Sequence, residues 1–184
     1  MDVRVRVRTG RPADAAGLVR LAGQVEQWFG PMVGEPGFHA AVERQLADGK
    51  ALVADGGVPA TGGGALVDNG GAPATGGGAL VIDDGAELLG GLLIGWRPPV
   101  CHLHWLVVDA AARGRGVGRA LVAEALARCP EQVRTVEVVT FGADHPGAAA
   151  SGARVFYERL GFSPAEPAVP GPEGGSRQVY RRAR

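Results

Sequence analysis

The stretch from Val100 to Gly118 constrains the fold more than any other part of this chain. An apolar run, Val100 to Val108, leads into Asp109-Ala110-Ala111-Ala112-Arg113-Gly114-Arg115-Gly116-Val117-Gly118 and then into an amphipathic segment ending near Arg128. A strand of nearly continuous apolar character is covered on both faces, so Val100 to Val108 is expected at the centre of a sheet. The passage from strand to helix through glycine and arginine leaves backbone free for close approach. It also aims the first amides of the helix, with their positive dipole end, at one point, which suits a pyrophosphate. Arg113, Arg115 and Arg119 add charge there. A dinucleotide fingerprint needs glycine three residues after Gly116, where Arg119 stands, and a P-loop needs Gly-Lys before Ser or Thr, so neither pattern is present.

The flanking sequence fills in one sheet with helices between its strands. Val3 to Val7 alternates valine with arginine, as a half-exposed edge strand does. Pro12 and Asp14 open a helix with apolar positions Ala15, Leu18, Val19, Ala22, Val25 and Phe29, closed by the loop Gly30 to Gly37. A second helix is expected from Phe38 to Asp48, then strands at Ala51 to Ala54 and Leu88 to Trp96. After the central strand come a helix from Gly116 to Arg128, a strand from Val133 to Phe141, and a helix carrying Tyr157. That last helix should bury Val155, Phe156 and Leu160 and stop at Gly161 in the left-handed conformation. Short strands near Phe162 and at Gln178 to Arg181 complete an α/β arrangement, read as a single domain over 1–184.

One region breaks the pattern: Pro-Ala-Thr-Gly-Gly-Gly-Ala-Leu-Val at Pro59 recurs at Pro73, a tandem duplication. Its units are too short for a solenoid, so residues 55–85 read as an expanded Gly-rich loop inserted between the second and third strands.

A net charge of zero gives no electrostatic support for a nucleic-acid partner, and Arg181, Arg182 and Arg184 read as a solvated basic end. Cys101 and Cys129 are too few for a disulfide framework or a zinc site. No signal peptide or membrane span is expected, which places the chain in the cytoplasm, without a membrane partner and without a metal.

Arg113-x-x-Gly116-x-Gly118 resembles the acyl-CoA-binding motif of the GNAT superfamily of N-acetyltransferases. Ala153-Arg154-Val155-Phe156-Tyr157-Glu158-Arg159-Leu160-Gly161-Phe162 resembles that superfamily's other recurrent segment, A-x-x-F-Y-x-x-x-G-F. By motif order the resemblance spans roughly Leu88 to Phe162. It implies a GNAT-like mixed sheet of about six to seven strands with helices on both faces. It further implies acetyl-CoA as co-substrate, held by Leu106, Val107, Val108, Arg113, Gly114, Arg115, Gly116, Val117, Gly118 and Arg119, with the strand splaying from its neighbour at Leu106 to Val108. Many members carry an asparagine seven residues before the tyrosine; this chain has Ala150, and Ser151 substitutes only if the loop shifts. Dimers are common in the superfamily, so a homodimer is a further expectation.

His102-Leu103-His104 is the clearest chemical clue outside those motifs. Strand side chains at i and i+2 share a face roughly 6.5 to 7 Å apart, so both imidazoles look the same way, while Cys101, Leu103, Trp105 and Val107 form an apolar opposite face. The pair stands at the same distance before the Arg/Gly turn as the paired histidines of the arylalkylamine (serotonin) N-acetyltransferases, and His102 occupies the position of a general-base glutamate in many other superfamily members. A primary amine titrates near about 10.4, so it must lose a proton before attacking a thioester, and an imidazole near about 6.5 can take it. His102 or His104 is therefore the expected base. The family match puts Tyr157 where it can protonate the leaving thiolate, uphill by about 2 kcal/mol from ordinary values. The expected function is acetylation of a small-molecule primary amine. The alternatives are acetylation of a protein or peptide amino group and a non-catalytic acyl-CoA-binding module. Rim candidates are Trp28, Phe29, Phe38, the loop Gly30 to Gly37 and Pro164 to Gly175. Glu26, Glu35 and Asp144 could attract a cation, and His145 is a weak substrate contact.

Overall fold

The structure, a computed structural model, describes residues 5–56 and 87–184. In chain order they form β1 (Val5–Thr9), a short helical turn, α1 (Ala15–Gly23), α2 (Glu26–Phe29), α3 (Pro36–Ala47), β2 (Ala51–Gly56), β3 (Leu88–Arg97) and β4 (Val100–Val108). Then come α4 (Val117–Arg128), β5 (Thr135–Phe141), α5 (Pro146–Ser151), α6 (Ala153–Arg159), β6 (Ser163–Ala168) and β7 (Arg177–Ala183). The seven strands lie in one mixed sheet, ordered β1-β2-β3-β4-β5-β7-β6, with β4 in the middle. Only β4 and β5 run parallel. The tandem duplication falls almost wholly outside the described residues, as does the start of the expected first strand.

Each face of the sheet buries its own core. Leu121, Val122 and Ala125 of α4 and Tyr157 of α6 pack with Ile94, Cys101, Leu103, Val136 and Val138. On the other face Leu18 and Leu21 of α1 and Val42 and Leu46 of α3 cover Val53, Leu93 and Val107.

The central strand departs from simple alternation. Ile94 pairs with Leu103 but Leu93 pairs with Trp105, so His104 is the extra residue of a β-bulge. Beyond a bulge the side chains change faces. Cys101 and Leu103 accordingly join the α4 core, whereas Trp105 packs with the α1/α3 core and Val107 belongs to it; the four do not share one apolar face.

Three other expectations are corrected. The helix expected through Phe29 breaks at Gln24 and Val25 into α1 and α2, and the Gln24 side chain at the break ties it to the end of β4: its Nε2 donates to Asp109 and its Oε1 accepts from the Ala110 N–H. In α6, Val155 is 50% exposed, and Ala153, Phe156, Tyr157 and Leu160 face the core instead. Ala153, Phe156, Tyr157 and Leu160 follow the i, i+3, i+4, i+7 spacing of one helical face, and Val155 lies off that stripe, while Gly161 ends α6 at φ +81° as expected. The C-terminal arginines are not a solvated tail. β7 inserts between β5 and β6, so Arg181 pairs with Glu137 and Glu166, Arg182 donates to the Leu160 carbonyl, and Arg184 to that of Pro130.

Candidate active site

β4 pairs with β5 only from Val100 to Leu103. Past that point β5 continues beside β7 as far as Phe141, and β4 is left with a free backbone edge. The gap between them opens into a cavity of about 350 Å³. Leu106, Val107, Val108, Phe141, Phe156 and Tyr157 line it, closed on one side by Trp28 and Phe29 and at its mouth by the Arg113 to Arg119 turn.

That turn is fastened from below. The Asp109 carboxylate accepts hydrogen bonds from Arg20, Gln24 and the Ala111 N–H; the Arg20 bond and then the Gln24 bond hold it below the usual carboxylate range. Gly114 and Gly116 take φ +75° and +81°, which a side chain would oppose. Gly118 serves a different need: a Cβ there would stand 3.1 Å from the Phe156 ring. The first helical bond of α4 is Ala120 N–H to the Gly116 carbonyl, so the N–H groups of Val117, Gly118 and Arg119 have no acceptor in their own helix. Among the described residues Arg119 has no ion-pair partner, and Arg113 lies 5.8 Å from the Trp28 ring. Gly114, Gly116, Val117 and Gly118 all line the cavity; Arg115 does not.

Tyr157 is 6% exposed and lines the same cavity, among the rings of Phe156, Phe162 and Tyr180. Burial pushes its hydroxyl above the ordinary tyrosine value. Ser151 also faces the cavity, while Ala150 is exposed outside it. The Ser151 hydroxyl donates to the Gly147 carbonyl and accepts from the Ala153 N–H.

His102 and His104 line a different cavity, of about 390 Å³, with Gln45, Lys50, Gly95, Trp96 and Arg97. Their rings are nearly parallel, with centroids 6.0 Å apart. His102 Nδ1 lies 3.7 Å from the Glu137 carboxylate. Partial burial lowers the His104 pKa, helped by His102 and Lys50. The histidines and Tyr157 thus stand in separate cavities on either side of β4.

Several rim candidates turn out to be structural. His145 is buried: its Nδ1 accepts the Gly147 N–H at 2.8 Å, its ring stacks on Phe141, and its Nε2 lies 3.3 Å from Glu173. Asp144 accepts from Ser176, and Glu26 accepts the N–H groups of Met32 and Val33. Phe38 packs edge-on against Trp105, Glu35 precedes α3, and no residue from Pro164 to Gly175 lines either cavity. Trp28 and Phe29 line the cavity that holds Tyr157, not the one that holds the histidines. Behind them sits Arg177, unmarked by any local sequence signal. Its buried guanidinium lies 5.0 Å from the Phe29 ring and 4.7 Å from that of Phe141, pairs with Glu173, and reaches the Trp28 carbonyl. Only the topology that places β7 beside β5 brings it there.

Among the described residues no group of His, Cys, Asp and Glu could hold a metal ion, and no helix is long and apolar enough to cross a membrane.

Residues 75–164 match the family described as acetyltransferase (GNAT) domain. No curated protein sequence matches significantly. Solved structures share the fold along nearly the whole chain. Ard1 from Thermoplasma volcanium is similar at 16% identity, with 98% of each chain covered and a TM-score of 0.67. The PaiA N-acetyltransferase of Thermoplasma acidophilum, solved in complex with coenzyme A, is 11% identical over 98% of this chain and 99% of that one, with a TM-score of 0.63. The ribosomal-protein-alanine N-acetyltransferase of Brucella melitensis is 19% identical over 97% and 99%, with a TM-score of 0.62.

Proposed function

We propose, from the match of residues 75–164 to the acetyltransferase (GNAT) domain family, that this chain moves an acetyl group from acetyl-CoA to a primary amine of a small molecule. The observation that carries this reading is that the free edge of β4, the Arg113 to Gly118 turn and Tyr157 converge on one cavity. Its apolar walls suit a pantetheine arm, and the unpaired amides of Val117, Gly118 and Arg119, with the Arg119 side chain, suit a pyrophosphate.

In this reading backbone N–H groups on the free edge near Leu106 to Val108 polarise the thioester carbonyl, because β5 no longer uses them. The amine approaches from the histidine cavity. His104 takes its proton as the N–C bond forms, and the C–S bond then breaks to release CoA thiolate. His104 stands at the bulge, two residues before Leu106, and its lowered pKa keeps it unprotonated at neutral pH. Glu137 stands 3.7 Å from His102, the parallel neighbour of that base. Tyr157, with its raised pKa, keeps its proton, and in this reading its hydroxyl hydrogen-bonds to the departing sulfur without giving the proton up.

A peptide amino group is the second reading, favoured by the name of the Brucella relative. The deciding experiment is release of free CoA thiol across amines of several classes and across N-terminal peptides, with acetyl-CoA binding followed by calorimetry. Turnover with small amines and none with peptides supports the first reading. Binding without turnover on any acceptor points to a non-catalytic acyl-CoA module.

A further inference from the structure

We infer that the cavity beside the paired histidines selects a primary amine bearing an anionic group, a carboxylate or phosphate, with the amine turned to His104 and the anion held by Lys50 and Arg97. This rests on the acetyl-transfer reading above and specifies its acceptor.

The charges facing this cavity are one-sided. Lys50 and Arg97 are cationic, and no carboxylate is among the residues lining it. Two acids pair with residues of the lining or stand next to it: Asp48 lies 3.7 Å from Lys50, and Glu137 receives Arg181 at 2.6 Å and stands 3.7 Å from His102. Arg97 has no ion-pair partner among the described residues. A second cation on the acceptor, as in a polyamine, meets repulsion here, whereas an anion gains charge-assisted hydrogen bonds.

Gln45 adds a neutral polar side chain to the lining. Trp96 supplies an apolar wall for the carbon skeleton. His104 is the first residue of β4 beyond its pairing with β5, so the histidine cavity adjoins the stretch of strand whose edge β5 leaves free.

The test uses matched pairs that differ only in the anion: tyrosine against tyramine, leucine against 3-methylbutylamine, and phosphoethanolamine against ethylamine. Thiol release by the full chain should favour the anionic member by about tenfold or more in kcat/KM, and the carboxylate and phosphate arms identify which anion is preferred. Lys50→Glu and, independently, Arg97→Glu should bring that ratio to one or below, with melting curves confirming that each variant folds. Equal or better turnover of the neutral-tailed amines, or a ratio indifferent to both variants, overturns the inference. Calorimetry with acetyl-CoA keeps the two readings apart. If acetyl-CoA fails to bind, or nothing is acetylated, acetyl transfer is what has failed. Saturation-transfer NMR on the same pairs then decides the cavity. Contact by the anionic members alone, lost in Lys50→Glu, supports it; equal contact by both members, or none, overturns it.

Discussion

At the scale of single residues the two sides of β4 call for different losses. His104 is proposed to take the proton as the amine attacks, so His104→Ala should lower kcat by about 10²- to 10⁴-fold, the usual range for a positioned base. Burial has already made Tyr157 a reluctant acid, so Tyr157→Phe removes a hydrogen bond rather than a full proton transfer, and kcat should fall by only about 10- to 100-fold. Steady-state rates of the two variants, with acetyl-CoA affinity checked for each, test that ordering. The pH dependence follows from the same burial. The shift on His104 is downward, so its base form persists below the ordinary imidazole value of about 6.5. The acidic limb of kcat/KM should therefore lie below about pH 6.5 and disappear in His104→Ala. A limb at or above that value would assign the proton to another group.

At the scale of elements, the strand-turn-helix unit of β4 and α4 was the part most legible in the sequence. An apolar run, then arginine and glycine at fixed spacing, is a local signal, and the two glycines proved to act for separate local reasons. Gly116 is needed for its positive φ, so Gly116→Ala should cost about 1–2 kcal/mol in stability and loosen acetyl-CoA through the displaced amides of α4. Gly118 is needed for contact, and Gly118→Ala presses on Phe156 instead. Urea midpoints and calorimetric titration of both variants separate the two causes: acetyl-CoA affinity should fall more in Gly116→Ala. What the sequence did not show was the bulge. Counting alternate positions from Cys101 assumes a regular pleat, and a bulge is fixed by pairing with Leu93 and Ile94 on a distant strand. The same holds for the cavity residues: Gln45, Lys50, Arg97 and Arg177 carry no mark in their own segments and gain meaning only from topology. The exposed Val155 was readable in the segment itself: Ala153, Phe156, Tyr157 and Leu160 make the helical stripe, and an apolar residue one position before Phe156 falls outside it.

At the scale of the whole molecule the sheet is two pieces joined by a short seam. β1 to β4 form one antiparallel run, β5, β7 and β6 another, and the register between them is four residue pairs, Val100↔Thr135 to Leu103↔Val138. Beyond the seam the halves are held by side chains, above all Arg177, which reaches from β7 to Phe29 and to the Trp28 carbonyl. A ligand lying in the splay would add backbone hydrogen bonds along the edge that β5 leaves free, and so would act as a strand between the halves. Acetyl-CoA at 100 times its dissociation constant should then stabilise the fold by about 2.7 kcal/mol. Hydrogen exchange should slow on binding at the edge-facing amides of residues 104–108 and hardly at all in β1 or β6. Arg177→Met should widen the splay in the free protein: its melting temperature should fall, and the gain on adding acetyl-CoA should exceed that of the wild type, because the ligand replaces part of the lost bridge. Exchange slowed evenly across all seven strands would mean that the seam already makes the two halves one cooperative unit.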